Sequence, residues 1–367
     1  MRKSSGLGRI LRGAVPNVLA LVLGLVAASV MMLLAGYDPL KVFSTLFQGA
    51  LGTNAGQSYI LTYTGTLILS AIAFLVPGKA GIFNVGAQGQ IYFGGITAAL
   101  VAVFVPLPPV IWPLAATAAG CLAGAFWAFI PGMLQAYRNT SAIVTTIMLN
   151  FVAQPLASVL LFYVIYLKEP TVRVYTTATY NPNATIPGIP FFVSSTMIFV
   201  AIAVSVVVAV FLGRTTLGYN IRAVGLGPQP AEAKGINPRL TMVLAMVIGG
   251  LVAGLAGVGD VLSPGHGCGA KACYIDGFAQ GAFGGEGFAG ITVALVGANN
   301  PIGSIFSAVF FAILVAGQAS IAAAFPGSLY AVWAMEGLII IFMAMPYLST
   351  LILSRGRSLG LQVGGGT

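Results

Sequence analysis

Four amide side chains interrupt apolar sequence, and their type limits the chemistry open to them. Asn84, Gln88 and Gln90 fall within Gly81-Ile82-Phe83-Asn84-Val85-Gly86-Ala87-Gln88-Gly89-Gln90, and Asn150 closes Thr145-Thr146-Ile147-Met148-Leu149-Asn150. An amide both donates and accepts hydrogen bonds without carrying charge. It can hold hydroxyls, ring nitrogens or backbone groups, but it supplies no nucleophile. Glu286 adds an acid inside Gly284-Gly285-Glu286-Gly287. At membrane depth an acid costs about 2.5–3.5 kcal/mol on insertion scales, so Glu286 needs a partner, a cavity or a place near the interface. The amides allow two readings, as the lining of a solute pathway or as hydrogen bonds between helices. Phe83, Phe93, Phe283 and Phe288 likewise offer either stacking faces for a flat ring or packing.

Catalytic and metal chemistry find less support. His266 is the single histidine and shares one segment with Cys268 and Cys273. Three ligands without a C-x2-C spacing fall short of a zinc site. A bare loop and a disulfide in an oxidising compartment are the alternatives, and no metal site is expected. Cys121 sits in apolar sequence and reads as packing. No G-x-x-x-x-G-K-[ST] phosphate loop occurs, and Gly78-Lys79 lacks both the upstream glycine and the following hydroxyl. With no cofactor expected in the chain itself and no paired nucleophile and base, an enzyme is not expected.

The elements that must carry these residues follow from composition. Hydrophobic residues make up 58% of the 367 and charged residues 6%, far too little charge for a soluble surface. The formal net charge of +9 would suggest nucleic acid in a soluble protein, but its distribution argues for a lipid bilayer and no nucleic acid. Crossing the hydrocarbon core takes roughly 20 apolar residues per helix. Ten runs fit, near 14–36, 59–77, 82–104, 110–136, 142–167, 191–213, 240–262, 281–297, 302–324 and 329–352. The predicted fold is all-α, integral to the membrane, with about ten transmembrane helices in a single domain over 1–367. The run from Ala14 to Gly36 is too long for a cleaved signal and reads as a retained first helix.

With the N-terminus inside, the cytoplasmic face holds Arg2, Lys3, Arg9, Arg12, Lys79, Arg138, Arg214, Arg222, Lys234, Arg239, Arg355 and Arg357, against Lys41, Lys168, Arg173 and Lys271 outside. This bias places both termini in the cytoplasm. It also places there the polar island Arg214–Arg239, whose Pro230–Asn237 core reads as a short helix begun by proline and ended by glycine and Asn-Pro. A surface helix of this kind between apolar spans suits the docking of a soluble partner. Phe93–Leu100 and Phe288–Leu295 share the pattern F-x-G-I-T-x-A-L on segments predicted to run in opposite directions. An inverted repeat relating spans two to five with seven to ten would produce this echo.

Taken in order, Gly81–Gln90, Thr146–Asn150, the island around Ala231–Asn237, and Gly287–Leu295 with Asn299-Asn300-Pro301 resemble the permease subunits of ATP-binding-cassette importers for simple sugars and nucleosides, the nucleoside branch above all. The resemblance covers roughly residues 40 to 350. It implies a permease in a bacterial cytoplasmic (inner) membrane, paired with a second copy or a sibling permease. Two cytoplasmic ATPase domains would carry the ATP and Mg, and an external substrate-binding protein would deliver a nucleoside or simple sugar. Residues 214–239 would be the coupling loop, with Arg222, Ala231, Glu232, Ala233 and Gly235 at the ATPase contact. The pathway would be lined by Asn84, Gln88, Gln90, Asn150, Glu286, Phe83 and Phe288. Gln88 and Ala289 stand where the family often carries an acid, and Glu286 is an acid placed differently. The alternative is an ion-coupled secondary transporter of a small polar solute, using Glu286, Asp260 or Asp276.

Overall fold

The structure is a computed structural model that describes residues 22–109, 111–168, 196–263, 285–325 and 337–338. The N-terminal residues before 22, the body of the outer loop before Pro190, the His266–Cys273 segment, Asp276, Phe283 and nearly all of 329–352 lie outside the described residues.

Every element is helical among the described residues, as unbroken apolar sequence requires when no water is present to satisfy the backbone. In chain order they are α1 (Val22–Leu34), α2 (Pro39–Leu51), α3 (Asn54–Lys79), α4 (Ala87–Phe104), α5 (Ile111–Arg138), α6 (Ala142–Lys168), α7 (Met197–Arg214), α8 (Thr216–Leu226), α9 (Pro228–Ala233), α10 (Pro238–Leu262), α11 (Glu286–Val296) and α12 (Pro301–Ala324). Seven of them, α3 to α7, α10 and α12, are long and apolar enough to cross a membrane, and the pair α1 and α2 makes an eighth if counted as one span. The chain is thus an all-α integral membrane protein. The expected count of ten is not reached among the described residues.

Two departures from the predicted elements have local causes. α1 and α2 meet at a bend of 116°, where the sequence predicts one span at 14–36 and none again before 59. Gly36, at φ 83°, ends α1 with bonds from Gly36 N–H to Leu33 and from Tyr37 N–H to Met32. Asp38 then starts α2 by accepting from the Leu40 N–H at 3.0 Å, with Pro39 at the first turn. The predicted span at 281–297 is an 11-residue helix, α11. At 1.5 Å per residue this is roughly 16 Å, about half the hydrocarbon thickness. The left-handed backbone of Gly285, at φ 83°, sets its start.

Residues 54–313 form one compact unit, and the flanking residues group into another. Within the first, α3, α4 and α10 are the most buried long helices. Small residues let their backbones meet. A side chain at Gly94 of α4 or Gly124 of α5 would overlap the backbone of Gly254 in α10, and one at Gly257 would overlap Ile91. Outward-facing Leu122, Phe126, Phe151, Val207 and Phe306 are exposed, as a lipid-facing surface requires. Within the second unit, Gly317 packs on Leu46 and Gly49 on Ser320.

Candidate functional site

α3 contains Pro77, which has no N–H to return to the carbonyl four residues earlier. That carbonyl is Ala73, and the Asn84 amide donates to it at 3.2 Å. α3 closes just beyond Pro77, where Gly81, at φ 80°, donates to Gly78 and Ile82 donates to Pro77. Asn84 Oδ1 accepts from the Gly86 N–H at 3.0 Å and from the Gln90 amide at 3.3 Å. Asn84 and Gln90 are both fully buried, and together they hold the break between α3 and α4 in shape.

The first turn of α4 has no side-chain cap of its own. Asn150 supplies one from α6: its Oδ1 accepts from the Gly89 N–H at 2.9 Å, and its Nδ2 donates to the Val85 carbonyl at 2.9 Å. The first turn of α11 is also uncapped from within. Gln88 of α4 supplies that one, accepting from the Gly287 N–H at 2.7 Å. Both copies of F-x-G-I-T-x-A-L lie on helices that begin after a glycine and are capped by an amide from another helix, starting at the seventh residue of α4 and the third of α11. The three polar interruptions of the sequence converge, with Thr146 packed on Gly86 and Gly287 on Gln88.

Beside this junction lies an acid pair. Glu286, 1% exposed, lies beside Asp260 of α10, and the Thr66 hydroxyl of α3 donates to Asp260 Oδ1 at 2.5 Å. Tyr92 of α4 bonds to Gln88 and lies near Glu286. Glu286 Oε2 and Ser70 Oγ have no hydrogen-bond partner among the described residues. Four helices thus bring hydroxyl, amide and carboxyl groups together inside an apolar bundle. The sequence reading reaches Gln88 and Glu286. Asp260 is reached there only as an acid for ion coupling, and Thr66 and Tyr92 are missed because each lies inside a long span whose sequence gives no sign of what it meets.

The predicted aromatic faces divide. Phe93 stacks on Trp127, its ring centroid at 3.7 Å, so that face is occupied within the chain. Phe83 meets Phe74 edge-on and stays 44% exposed, and Phe288 is 46% exposed.

The island folds as two helices where the sequence reading has one. Thr215 caps α8, accepting from the Gly218 N–H at 3.0 Å, and Gly227 separates α8 from α9. α9 begins at Pro228, two residues before the predicted start. Gly235, at φ 79°, and Ile236 end it by donating to Glu232 and Ala231. Glu232, Ala233 and Gly235 are exposed, whereas Ala231 is buried. Tyr219, Arg222, Leu226, Pro230 and Lys234 help line a groove of about 340 Å3 between the two helices. The Arg239 guanidinium lies over the Tyr137 ring at 5.9 Å, and Lys79 lies near Arg222. Lys79 and Arg222, both assigned to the cytoplasm, thus lie together where α3 meets the island.

Residues 56–353 match the family described as "Branched-chain amino acid transport system / permease component". The nucleoside ABC transporter permease protein NupB of Lactococcus lactis is 34% identical over 310 residues, 82% of each chain. The glucose ABC transporter permease protein TsgB13 of Haloferax volcanii is 31% identical over 338 residues, 89% of this chain and 86% of its own. The guanosine ABC transporter permease protein NupP of Bacillus subtilis is 28% identical over 299 residues, 79% of this chain and 81% of its own. No solved structure matches the chain.

Proposed function

The chain belongs to the permease-component family of ATP-binding-cassette transport systems, and on that premise we propose that it imports nucleosides, with simple sugars as the second substrate class. It is a transmembrane transport subunit and not an enzyme. Its driving force comes from partner ATPases, which bind ATP and Mg, and its solute comes from an external substrate-binding protein. In the finer reading, two cytoplasmic ATPase domains dock on α8 and α9, contacting Arg222, Ala231, Glu232, Ala233 and Gly235. The permease pairs with a second copy or a sibling in a bacterial cytoplasmic membrane.

The observation that carries the substrate reading is the acid pair Asp260–Glu286 among Thr66, Gln88 and Tyr92. A carboxylate accepts hydrogen bonds from hydroxyls, as acidic side chains do from ribose elsewhere, and a neutral polyol or nucleoside offers such donors without bringing a charge into the membrane. Asn84, Gln90 and Asn150 hold the helix breaks beside this pathway, Gln88 and Glu286 stand at their meeting point, and Phe83 and Phe288 offer ring faces for a base. The relatives named for nucleosides and guanosine favour the nucleoside, and the relative named for glucose keeps the sugar open.

The test is uptake by proteoliposomes holding the permease with its ATPase and binding protein. Labelled guanosine should enter only with internal ATP, and excess unlabelled nucleosides should compete where excess glucose does not. Competition by glucose alone would reassign the solute to sugars.

A further inference from the structure

We infer that the turn Lys79–Gly81 receives motion from the island through Gly225, and that this backbone contact couples the ATPases to the solute pathway. The inference rests on the reading of α8 and α9 as the ATPase contact.

Gly225 lies one residue before the end of α8. A Cβ on it would fall onto the Lys79 carbonyl oxygen and lie 3.2 Å from the Gly81 nitrogen, while a Cβ on Gly81 would stand 3.6 Å from the Gly225 Cα. The two backbones touch with no side chain between them. Such a contact does not compress, because close-packed interiors transmit displacement rather than absorb it. Nor is it tied by charge: Lys79 and Arg222 flank it as two cations, and the one ion pair among the described residues is Asp38–Lys41. The surfaces can therefore press together or part without breaking a bond.

Beyond the contact, a short bonded path leads inward. Gly81 ends α3 and opens the segment to Gly86, which Asn84 ties back to Ala73. The next turn carries Gln88, bonded to Gly287 beside Glu286. On the outer side, α8 shares the groove with α9, and Leu226, next to Gly225, is 92% exposed. A partner seated against Leu226 and Pro230 would push on the C-terminal turn of α8, and hence on Lys79–Gly81. Gly225 is a positioning residue, since it touches neither solute nor nucleotide.

The test uses the complex recovered from membranes through a tag on the full chain. Gly225→Ala should still recover the ATPase and leave ATP hydrolysis running, while ATP-driven uptake falls roughly tenfold or more, the equivalent of about 1.4 kcal/mol in a barrier. Uptake at the unmodified rate would overturn the inference and leave the ATPase contact standing. If the wild-type chain recovers no ATPase, the underlying reading fails and takes the inference with it. A second measurement needs no variant: hydrogen exchange on the unmodified complex, with and without Mg-ATP and vanadate. Amides in 79–90 should change protection together with those in 216–233. A change confined to 216–233 would overturn the inference, even if Gly225→Ala fails to accumulate.

Discussion

At the residue scale, Asn84 satisfies a carbonyl that Pro77 leaves open, and the two residues should behave as one unit. Asn84→Leu should destabilise the detergent-solubilised protein by about 1–3 kcal/mol, the cost of an unsatisfied buried group. In a Pro77→Ala background residue 77 regains its N–H and can bond Ala73 directly. The loss from Asn84→Leu should then shrink, with a coupling of roughly 0.5–3 kcal/mol in a double-mutant cycle of chemical unfolding. Additive losses would show that the Asn84–Ala73 bond does not compensate for the proline. Glu286→Gln asks a different question of the acid pair. It preserves size and polarity but leaves no second carboxyl, so membrane levels should hold while uptake falls by roughly tenfold or more. Unchanged uptake kinetics would remove Glu286 from the pathway.

At the scale of elements, the structure consists of long helices and of the breaks between them, and the two were unequally legible in the sequence. The cores of α3, α4, α5, α6, α7, α10 and α12 follow from apolar runs, because a bilayer span needs little beyond length and hydropathy. The bent pair α1–α2, the shortness of α11 and the separate helix α8 did not follow, because each is set by one or two residues: Gly36 with Asp38, Gly285, and Thr215. The candidate site divides in the same way. Asn84, Gln88, Gln90 and Asn150 stood out as amides against apolar sequence, yet nothing local revealed that each caps or bridges a helix end. Asp260 and Thr66 come into play only because α3, α10 and α11 meet. Among the amides, Gln88→Leu leaves the Gly287 N–H buried without its acceptor, and Asn150→Leu does the same to Gly89. Both should lower the thermal midpoint in detergent, while Gln154→Leu in α6, a residue exposed on the bundle surface, should leave it nearly unchanged. Equal midpoints for all three would mean that the tertiary caps contribute nothing measurable.

At the scale of the whole molecule, the chain belongs to a family of permease components, and its driving force is proposed to come from partner ATPases. The exposed helices α8 and α9 are where that force is proposed to enter. Reversing charge at the exposed Glu232 should leave the fold intact, because that side chain forms no ion pair among the described residues, and should cost the ATPase contact. Glu232→Arg is therefore expected to accumulate in the membrane at normal levels with ATPase recovery and uptake both lost. The most direct measurement is uptake by the purified chain in liposomes, with and without its ATPase and binding protein, under ATP and under imposed proton or sodium gradients. Solute should accumulate only with the full set of partners and ATP. Accumulation by the chain alone under an ion gradient would contradict the account and make the Asp260–Glu286 pair an ion site.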